Sequence, residues 1–160
     1  MNEVTIKDRF LVPIVDDMID ELHRMKYFTK LDFRAGYHQI RVYPEDIHKT
    51  IFRTHNNHYE YLVMPFSLCN APSTFQAAVN SIFKRILPKF VLVFFDDILI
   101  YSCSWEMHLE HVQVVLKILQ KQQFVFKKSK CSFGQTKIDY WGHFISQKGV
   151  QVDDKKNCNY

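Results

Sequence analysis

Two acidic residues interrupt an otherwise apolar stretch that reads Val91-Leu92-Val93-Phe94-Phe95-Asp96-Asp97-Ile98-Leu99-Ile100-Tyr101. Continuous apolar runs of this length are typical of strands covered on both faces, and Asp is a common turn residue. The stretch therefore predicts a buried β-hairpin with Asp96 and Asp97 at its tip. Adjacent carboxylates repel each other, so the pair either forms only a turn or binds a cation.

The composition limits the class of protein. The 160 residues are 47% hydrophobic and 15% aromatic, which suits one packed domain and excludes a disordered chain. The formal net charge of +4 permits a polyanionic partner without requiring one. Four widely spaced cysteines, with no C-x-x-C pair, predict free thiols in a reducing compartment rather than zinc ligands or disulfides. No secretion signal or membrane span is evident, which predicts an intracellular protein, cytoplasmic or nuclear, without a membrane partner.

Periodicity along the chain predicts an α+β fold. We expect helices from Pro13 to about Met25, from Ser73 to the residues before Pro88, and from a Ser104 cap to about Leu119. A strand is expected at 27–32, with Asp32 near its end, where an Asp is usually a cap or turn residue. Further short strands are expected at 37–43, 50–54, 59–63, 124–126, 137–141 and 143–145, the last two turning at Gly142.

The last third of the chain is basic. Six lysines and no acidic residue lie between His111 and Ile138. Lys127, Lys128 and Lys130 lie between Phe126 and Phe133, which is consistent either with a solvated surface or with contacts to a phosphate backbone. Both interpretations stay open on the sequence alone.

Three segments together resemble a known family. They run from Leu31 to Ile40, from Met64 to Gln76 and from Phe94 to Ser102. In order and spacing they resemble three successive motifs of the reverse transcriptase of gypsy-class LTR retrotransposon Pol polyproteins. The resemblance implies a reverse-transcriptase-like palm, an antiparallel sheet backed by helices, with partial fingers. It covers residues 1–155 as a domain fragment and leaves 156–160 as a divergent tail.

The resemblance implies template-directed DNA synthesis from RNA by a two-metal mechanism. Asp32, Asp96 and Asp97 are the implied catalytic residues and ligands of two Mg²⁺ (or Mn²⁺) ions, a use of paired metals known for polymerases. The implied partners are an RNA or DNA template with its primer, and dNTPs. The implied nucleotide-binding residues are Phe33, Tyr37, Phe66 and Ser67, and the implied primer or template contacts are Phe95, Trp141, Gly142, Lys127, Lys128 and Lys130.

Other interpretations remain at this point. Tyr37 is either a residue under the sugar of the nucleotide or a core residue. His108 and His111, spaced like metal ligands, also match a helix of the family, which disfavours zinc there. Ser67 stands where the family has Gly, and Trp141 where it usually has Leu. A truncated, catalytically inactive retroelement relic that at most binds nucleic acid is therefore the alternative function; a nucleotide cyclase would lack the segment from 64 to 76.

Overall fold

The computed structural model describes Leu22, residues 24–140 and residues 143–152. Most of the helix expected from Pro13, the residues Trp141 and Gly142, and the tail at 156–160 therefore lie outside the described residues. The end of that expected helix is described, and it is a turn, with the Met25 N–H donating to the Leu22 carbonyl at 3.2 Å.

The described residues form two α-helices and nine short strands. In chain order they are β1 (Tyr27–Asp32), β2 (Phe52–Arg53), β3 (His58–Tyr59), α1 (Ala71–Phe83), β4 (Val91–Phe94), β5 (Asp97–Ser102), α2 (Trp105–Lys121), β6 (Ser132–Gln135), β7 (Lys137–Tyr140), β8 (His143–Ser146) and β9 (Gly149–Val152). Three 3₁₀ helices span Gly36–Gln39, Pro44–Thr50 and Lys128–Lys130.

A four-stranded antiparallel sheet lies at the centre, in the order β4-β5-β1-β6. Side chains alternate between its faces, as the pleat of a strand requires. One face packs on α1 and α2, and the other on the small sheet β7-β8-β9. Both faces are thus buried, which is why the hairpin sequence is apolar on both sides of its Asp pair. The predicted α+β class, an antiparallel sheet backed by helices, is confirmed.

The two helices follow their sequence signals. Ser104 caps α2, its hydroxyl accepting the Met107 N–H at 3.3 Å, and Pro72 lies in the first turn of α1. Helix α1 ends at Phe83, earlier than predicted. Its last carbonyls are reached by i to i−3 bonds, such as Ile86 N–H to Phe83 O, which tighten the chain before β4.

The strand predicted at 37–43 is wrong. Residues Gly36–Gln39 form a 3₁₀ helix after Ala35, which has a φ of +49°. Only Arg41 makes a strand-like bridge there, to Val63. The turn residues from Pro44 onward favoured a strand before them, but the left-handed Ala35 leads the chain into a 3₁₀ helix instead.

Other strands are shorter than predicted or displaced. The segment at 50–54 contains only the two-residue strand β2. Of the two-residue strand β3 only Tyr59 falls within 59–63, where Val63 adds the bridge to Arg41. Residues 124–126 contribute a single bridge, Phe126 to Phe33, and the fourth strand of the central sheet is β6, which was not predicted. The strands predicted at 137–141 and 143–145 correspond to β7 and β8, which pair antiparallel.

Two general expectations can be compared with the structure. Cys69, Cys103 and Cys131 form no disulfide within the described part of the chain. Among the same residues, no helix is long and apolar enough to cross a membrane.

Candidate active site

The central sheet brings two of the three predicted carboxylates side by side. Asp32 is the last residue of β1 and Asp97 the first of β5, and the two are directly paired in the antiparallel register. Because paired residues share a face, both carboxylates lie on the side of the sheet that carries Phe28 and Leu99, opposite the two helices. The strand ends therefore form one acidic edge.

Asp96 joins this edge from the turn of the hairpin. The turn consists of Phe95 and Asp96, since Phe94 and Asp97 pair directly. Phe95 has a φ of +49°, and the Asp96 carbonyl accepts the Phe33 N–H at 3.1 Å. The chain leaving β1 thus holds the turn that carries the third carboxylate.

Two lysines lie against the carboxylates. Lys30 Nζ is 3.0 Å from Asp97 Oδ2, and Lys130 Nζ is 3.3 Å from Asp32 Oδ2. Asp96 differs from its neighbours, since its Oδ1 atom is buried and has no hydrogen-bond partner among the described residues. Two carboxylates of the acidic edge therefore have a direct lysine partner, whereas the buried Oδ1 of the third has no donor in the described part of the chain.

Burial and repulsion between like charges raise the pKa values of Asp96 and Asp97. Burial raises the pKa of Asp96, the negative charges of Asp32 and Asp97 raise it further, and Lys130 opposes them. Burial also raises the pKa of Asp97, although the hydrogen bond and the charge of Lys30 lower it. The pKa of the Tyr37 hydroxyl is raised by burial and by the nearby Asp96 charge. Tyr37 therefore lies within electrostatic reach of the acidic edge.

The three carboxylates have the right donor atoms for a divalent ion, although their side chains are not arranged around one. Within the described residues, no group of three or more His, Cys, Asp or Glu side chains is arranged to hold a metal ion. Two of the carboxylates bond to lysines instead. Even so, three carboxylates are the hard oxygen donors that Mg²⁺ and Mn²⁺ take, and the orphaned Asp96 Oδ1 is a buried acceptor without a donor. The donor set thus fits such ions.

The predicted nucleotide-binding residues separate into two groups. The Tyr37 ring is half-buried and lies 4.8 Å from the exposed Phe66 ring and 5.3 Å from the core ring of Phe75, centroid to centroid. Ser67 follows Phe66 and is exposed. Phe33 is 3% exposed, and its ring contacts three other aromatic rings, those of Phe75, Phe124 and Phe126. Its ring therefore belongs to the core, and a nucleotide contact of Phe33 stays a prediction.

Those predicted primer and template residues that the structure describes lie around the acidic edge. Phe95 is half-buried at the hairpin tip. Lys127, Lys128 and Lys130 are exposed, and the Lys127 N–H donates to the Asp32 carbonyl at 2.9 Å. The basic segment is therefore fixed to the end of β1. Trp141 and Gly142 lie outside the described residues.

Three residues near the carboxylates were not predicted. Lys30 precedes Asp32 by two positions, so strand alternation could have placed both on one face. Gly36 packs so closely that a Cβ there would lie 2.9 Å from Asp96 Oδ1 and 2.9 Å from Phe75 Cζ. Gln76 is 1% exposed, a polar residue on the apolar face of α1. Apart from its place at the end of the second motif, that placement was its sequence signal.

His108 belongs to the core rather than to a metal site. It is 1% exposed, with Nε2 2.7 Å from Thr29 Oγ1 and Nδ1 3.0 Å from Ser102 Oγ. Both ring nitrogens thus have hydrogen-bond partners within the sheet, and burial, with a smaller effect of His111, lowers the pKa of His108 to about 4. The zinc alternative has no support from this geometry.

Comparison with known families decides the affiliation of the chain. The sequence pattern of the family described as "Reverse transcriptase (RNA-dependent DNA polymerase)" matches residues 1–145. The chain belongs to this family. This reverse transcriptase chain is 40% identical over 156 residues, 98% of its length, to the retrovirus-related Pol polyprotein from transposon 297 of Drosophila melanogaster. It is 35% identical over 149 residues, 93% of its length, to the Tf2-3 transposon polyprotein of Schizosaccharomyces pombe.

Solved structures show the same fold. The foamy viral protease-reverse transcriptase in complex with an RNA/DNA hybrid superimposes with a TM-score of 0.86 over 96% of this reverse transcriptase chain and 21% of that one, at 21% identity. The same foamy viral protein with double-stranded DNA gives 0.86, covering 96% of this chain and 32% of that one, also at 21% identity. The predicted reverse-transcriptase-like palm is thereby confirmed as the fold.

The relatives are much longer than this reverse transcriptase chain. The match covers 15% of the transposon 297 polyprotein, 16% of that from transposon opus and 11% of the Tf2-3 polyprotein. The names of these relatives specify transposon polyproteins, two of them retrovirus-related Pol polyproteins, so the retrotransposon relationship predicted from the motifs is confirmed. The gypsy class, and the division into 1–155 and 156–160, stay predictions.

Proposed function

We propose that the chain is the catalytic palm of an RNA-directed DNA polymerase, which extends a primer on an RNA or DNA template with dNTPs. The family affiliation supports this reaction, since the family is described as RNA-dependent DNA polymerases. One observation carries the assignment to these residues: Asp32, Asp96 and Asp97 meet at the ends of β1 and of the β4–β5 hairpin. Clustered like charges on a rigid, half-buried edge are costly unless they serve a cation.

Asp32, Asp96 and Asp97 would hold two Mg²⁺ or Mn²⁺ ions. When bound, such a pair activates the attacking hydroxyl and stabilises charge on the phosphate and on the leaving group. The chain's own part is to keep the three carboxylates together, through the register of β1 with β5 and the Phe33 N–H bond to Asp96 O. Lys30 and Lys130 orient Asp97 and Asp32 respectively.

The same arrangement gives roles to the aromatic residues. The Tyr37 ring contacts the exposed Phe66, and the Asp96 charge raises the pKa of its hydroxyl, so the ring would lie under the sugar of a dNTP whose phosphates face the acidic edge. Ser67 and Phe66 would border that nucleotide from the segment before α1. Phe95 at the hairpin tip would contact the primer end, and Trp141 and Gly142 stay predicted primer contacts.

The nucleic-acid partner is also part of the proposal. Lys127, Lys128 and Lys130 form an exposed basic segment bonded to the end of β1. Lysines in this position suit phosphates of the primer–template duplex, because charge neutralisation supplies most of the affinity for nucleic acid. The foamy viral neighbours were solved with an RNA/DNA hybrid and with double-stranded DNA, which is consistent with this partner.

Primer extension on an RNA template, with dNTPs and Mg²⁺, tests the proposal. We expect the wild-type chain to extend the primer. Asp32→Asn should lower the extension rate about a hundredfold or more, because an amide is a poorer metal ligand and loss of the carboxylate removes about 3 kcal/mol of transition-state stabilisation. Glu110→Gln, an equivalent change on the exposed face of α2, is the matched control and should extend normally. Extension by Asp32→Asn at the wild-type rate would rule out the assignment.

The alternative function has its own outcome in this assay. A wild-type chain that binds the primer–template duplex but adds no nucleotide would identify it as an inactive relic. Ser67 is the feature to test in that case, because its side chain stands where the family has Gly and lies beside the proposed nucleotide. If Ser67→Gly then extended the primer, the chain would be a polymerase palm that is inactivated by Ser67.

A further inference from the structure

The turn that carries Asp96 depends on an unusual backbone conformation. Phe95 has a φ of +49°, in the left-handed region that bulky side chains adopt only when their surroundings enforce it. Asp96 follows immediately, and its Oδ1 atom has no bond of its own within the described residues. The position of this carboxylate is therefore set by the backbone of the turn rather than by its own contacts.

A buried side chain from α1 reaches this backbone. Gln76 is 1% exposed, and its Oε1 accepts the Phe95 N–H at 2.7 Å. Its Nε2 donates to the Val93 carbonyl at 3.0 Å and to Asn80 Oδ1 at 3.0 Å. Because one main-chain partner is a donor and the other an acceptor, only one orientation of the amide satisfies both. The amide thus spans the strand end and the turn in a fixed geometry.

We propose that Gln76 is the positioning residue of the carboxylate turn: its amide holds Phe95 in the left-handed conformation and so fixes Asp96 next to Asp32 and Asp97. The consequence for metal binding rests on the proposed function. Asp97 has independent support from the β1 register and from Lys30, whereas Asp96 has its main-chain bond to Phe33 and the amide of Gln76 one residue away. Loss of the amide should therefore displace Asp96 selectively.

The test compares Gln76→Met, which keeps the side-chain length but removes the amide, with wild type. NMR backbone chemical shifts of Phe95 report whether φ stays left-handed, and Mn²⁺ binding followed by electron paramagnetic resonance reports on the carboxylates. We expect Phe95 to leave the left-handed region and the Mn²⁺ affinity to fall about tenfold or more. Adding Phe95→Gly should restore most of the affinity, because glycine adopts a positive φ without help.

Val79→Ala is the matched control, since Val79 is a fully buried neighbour on the same helix. It should lower the melting temperature while leaving the Phe95 shifts and the Mn²⁺ affinity unchanged. If Gln76→Met does not fold, Gln76→Asn serves instead, as its amide is one methylene too short to reach both main-chain groups.

The outcomes separate this inference from the proposed function. Unchanged Phe95 shifts in the folded Gln76 variant, or an equal loss of affinity in Val79→Ala, would overturn the positioning role. A wild-type chain that binds no Mn²⁺, while Gln76→Met still shifts Phe95, would instead remove the metal assignment and leave the positioning role standing.

Discussion

Asp96 has the least compensated charge of the three carboxylates. Asp97 and Asp32 each bond a lysine, whereas Asp96 Oδ1 has no hydrogen-bond partner in the described residues. We therefore expect Asp96→Asn to raise the melting temperature in EDTA by about 2 to 4 °C, which corresponds to about 1 kcal/mol of relieved repulsion. Asp32→Asn should gain less, because it also gives up its pair with Lys130. Calorimetry of both variants measures this, and a lower melting temperature for Asp96→Asn contradicts it.

Tyr37 allows a test of the nucleotide site at the same scale. Its ring contacts the exposed Phe66, as a nucleotide-binding role requires, and the core residue Phe75, as a core role requires. If the ring lies under the sugar, Tyr37→Ala should raise the ratio of ribonucleotide to deoxyribonucleotide incorporation by about tenfold, since a steric barrier to the 2′-hydroxyl is gone. Tyr59→Ala, an exposed tyrosine of β3, is the control and should leave the ratio unchanged.

A core role for Tyr37 gives a different result. Truncating a buried aromatic side chain leaves a cavity and costs about 3 to 5 kcal/mol. A destabilisation of that size with an unchanged incorporation ratio would assign Tyr37 to the core. Unfolding curves in urea, recorded on the protein used for the incorporation assay, distinguish the two results.

At the scale of elements, helix α2 is joined to the sheet by a buried polar network. His108 lies between Thr29 of β1 and Ser102 of β5, and Ser102 Oγ is also 2.8 Å from His111 Nδ1. The Gly134 N–H of β6 donates to Thr29 Oγ1 at 3.0 Å. The neutral imidazole thus links α2 to β1 and β5, and the Thr29 hydroxyl extends the network to the edge strand β6.

This network predicts a dependence of stability on pH. Burial lowers the pKa of His108 from 6.5 to about 4, so the unfolded chain binds its proton first. The stability from the neutral ring is fully present above pH 6.5 and is lost as the pH falls towards 4, by about 3 kcal/mol in all. The raised pKa values of Asp96 and Asp97 act in the opposite direction, since protonating them removes buried charge and also relieves repulsion in the fold.

Urea unfolding at pH 7 and pH 5 isolates the histidine, because the carboxylate contribution is common to wild type and variant. We expect His108→Asn to be less stable than wild type at pH 7 and to lose less stability on going to pH 5. His48→Asn, at an exposed position, should lose as much stability between pH 7 and pH 5 as wild type does. An equal loss of unfolding free energy between pH 7 and pH 5 in His108→Asn and wild type would show that the ring does not titrate as its burial implies.

Elements with strong local signals were predictable, and those that depend on distant contacts were not. The β4–β5 hairpin and α2 carry apolar runs and a Ser104 cap, which act within a few residues. Strand β6 has a weak alternating pattern and exists because it pairs with β1, about a hundred residues away. The segment after Asp32 looked like a strand, but the backbone of Ala35 made it a 3₁₀ helix.

The same division holds for the site. The proximity of Asp32, Asp96 and Asp97 was predictable, because the first and third motifs contain them and the strands pair in the expected hairpin. Their lysine partners were not, because the Lys130–Asp32 pair joins residues 98 positions apart and depends on how the chain after α2 returns to β1. Gln76 was missed for the same reason, since its partners Val93 and Phe95 are on the next strand and turn.

At the scale of the molecule, opposite charges meet at one edge of the sheet. The three carboxylates lie at the ends of β1 and the hairpin, and the basic segment with Lys127, Lys128 and Lys130 is bonded to the Asp32 main chain. A polyanion attracted by the lysines would therefore have its backbone next to the carboxylates. Cations bound there would reduce the repulsion between the acids and the phosphates.

The salt dependence of nucleic-acid binding tests this arrangement. If Lys127 and Lys128 contact phosphates, changing both to Gln should flatten the slope of log K against log salt by about 1.5 units, since each contact contributes about 0.7 to 0.9. Lys130 is left unchanged because its removal would also alter Asp32. The double change Lys117→Gln and Lys121→Gln on the exposed face of α2 is the matched control, and its slope should equal that of wild type.

Fluorescence anisotropy with a labelled primer–template duplex, at several salt concentrations, gives both slopes. The effect should be the same for unrelated duplex sequences, because phosphate contacts carry no sequence information and a polymerase accepts any template. An unchanged slope in the Lys127 and Lys128 variant would make the basic segment a solvated surface. A slope flattened equally by the α2 variant would instead indicate attraction by net charge, with no defined track for the duplex.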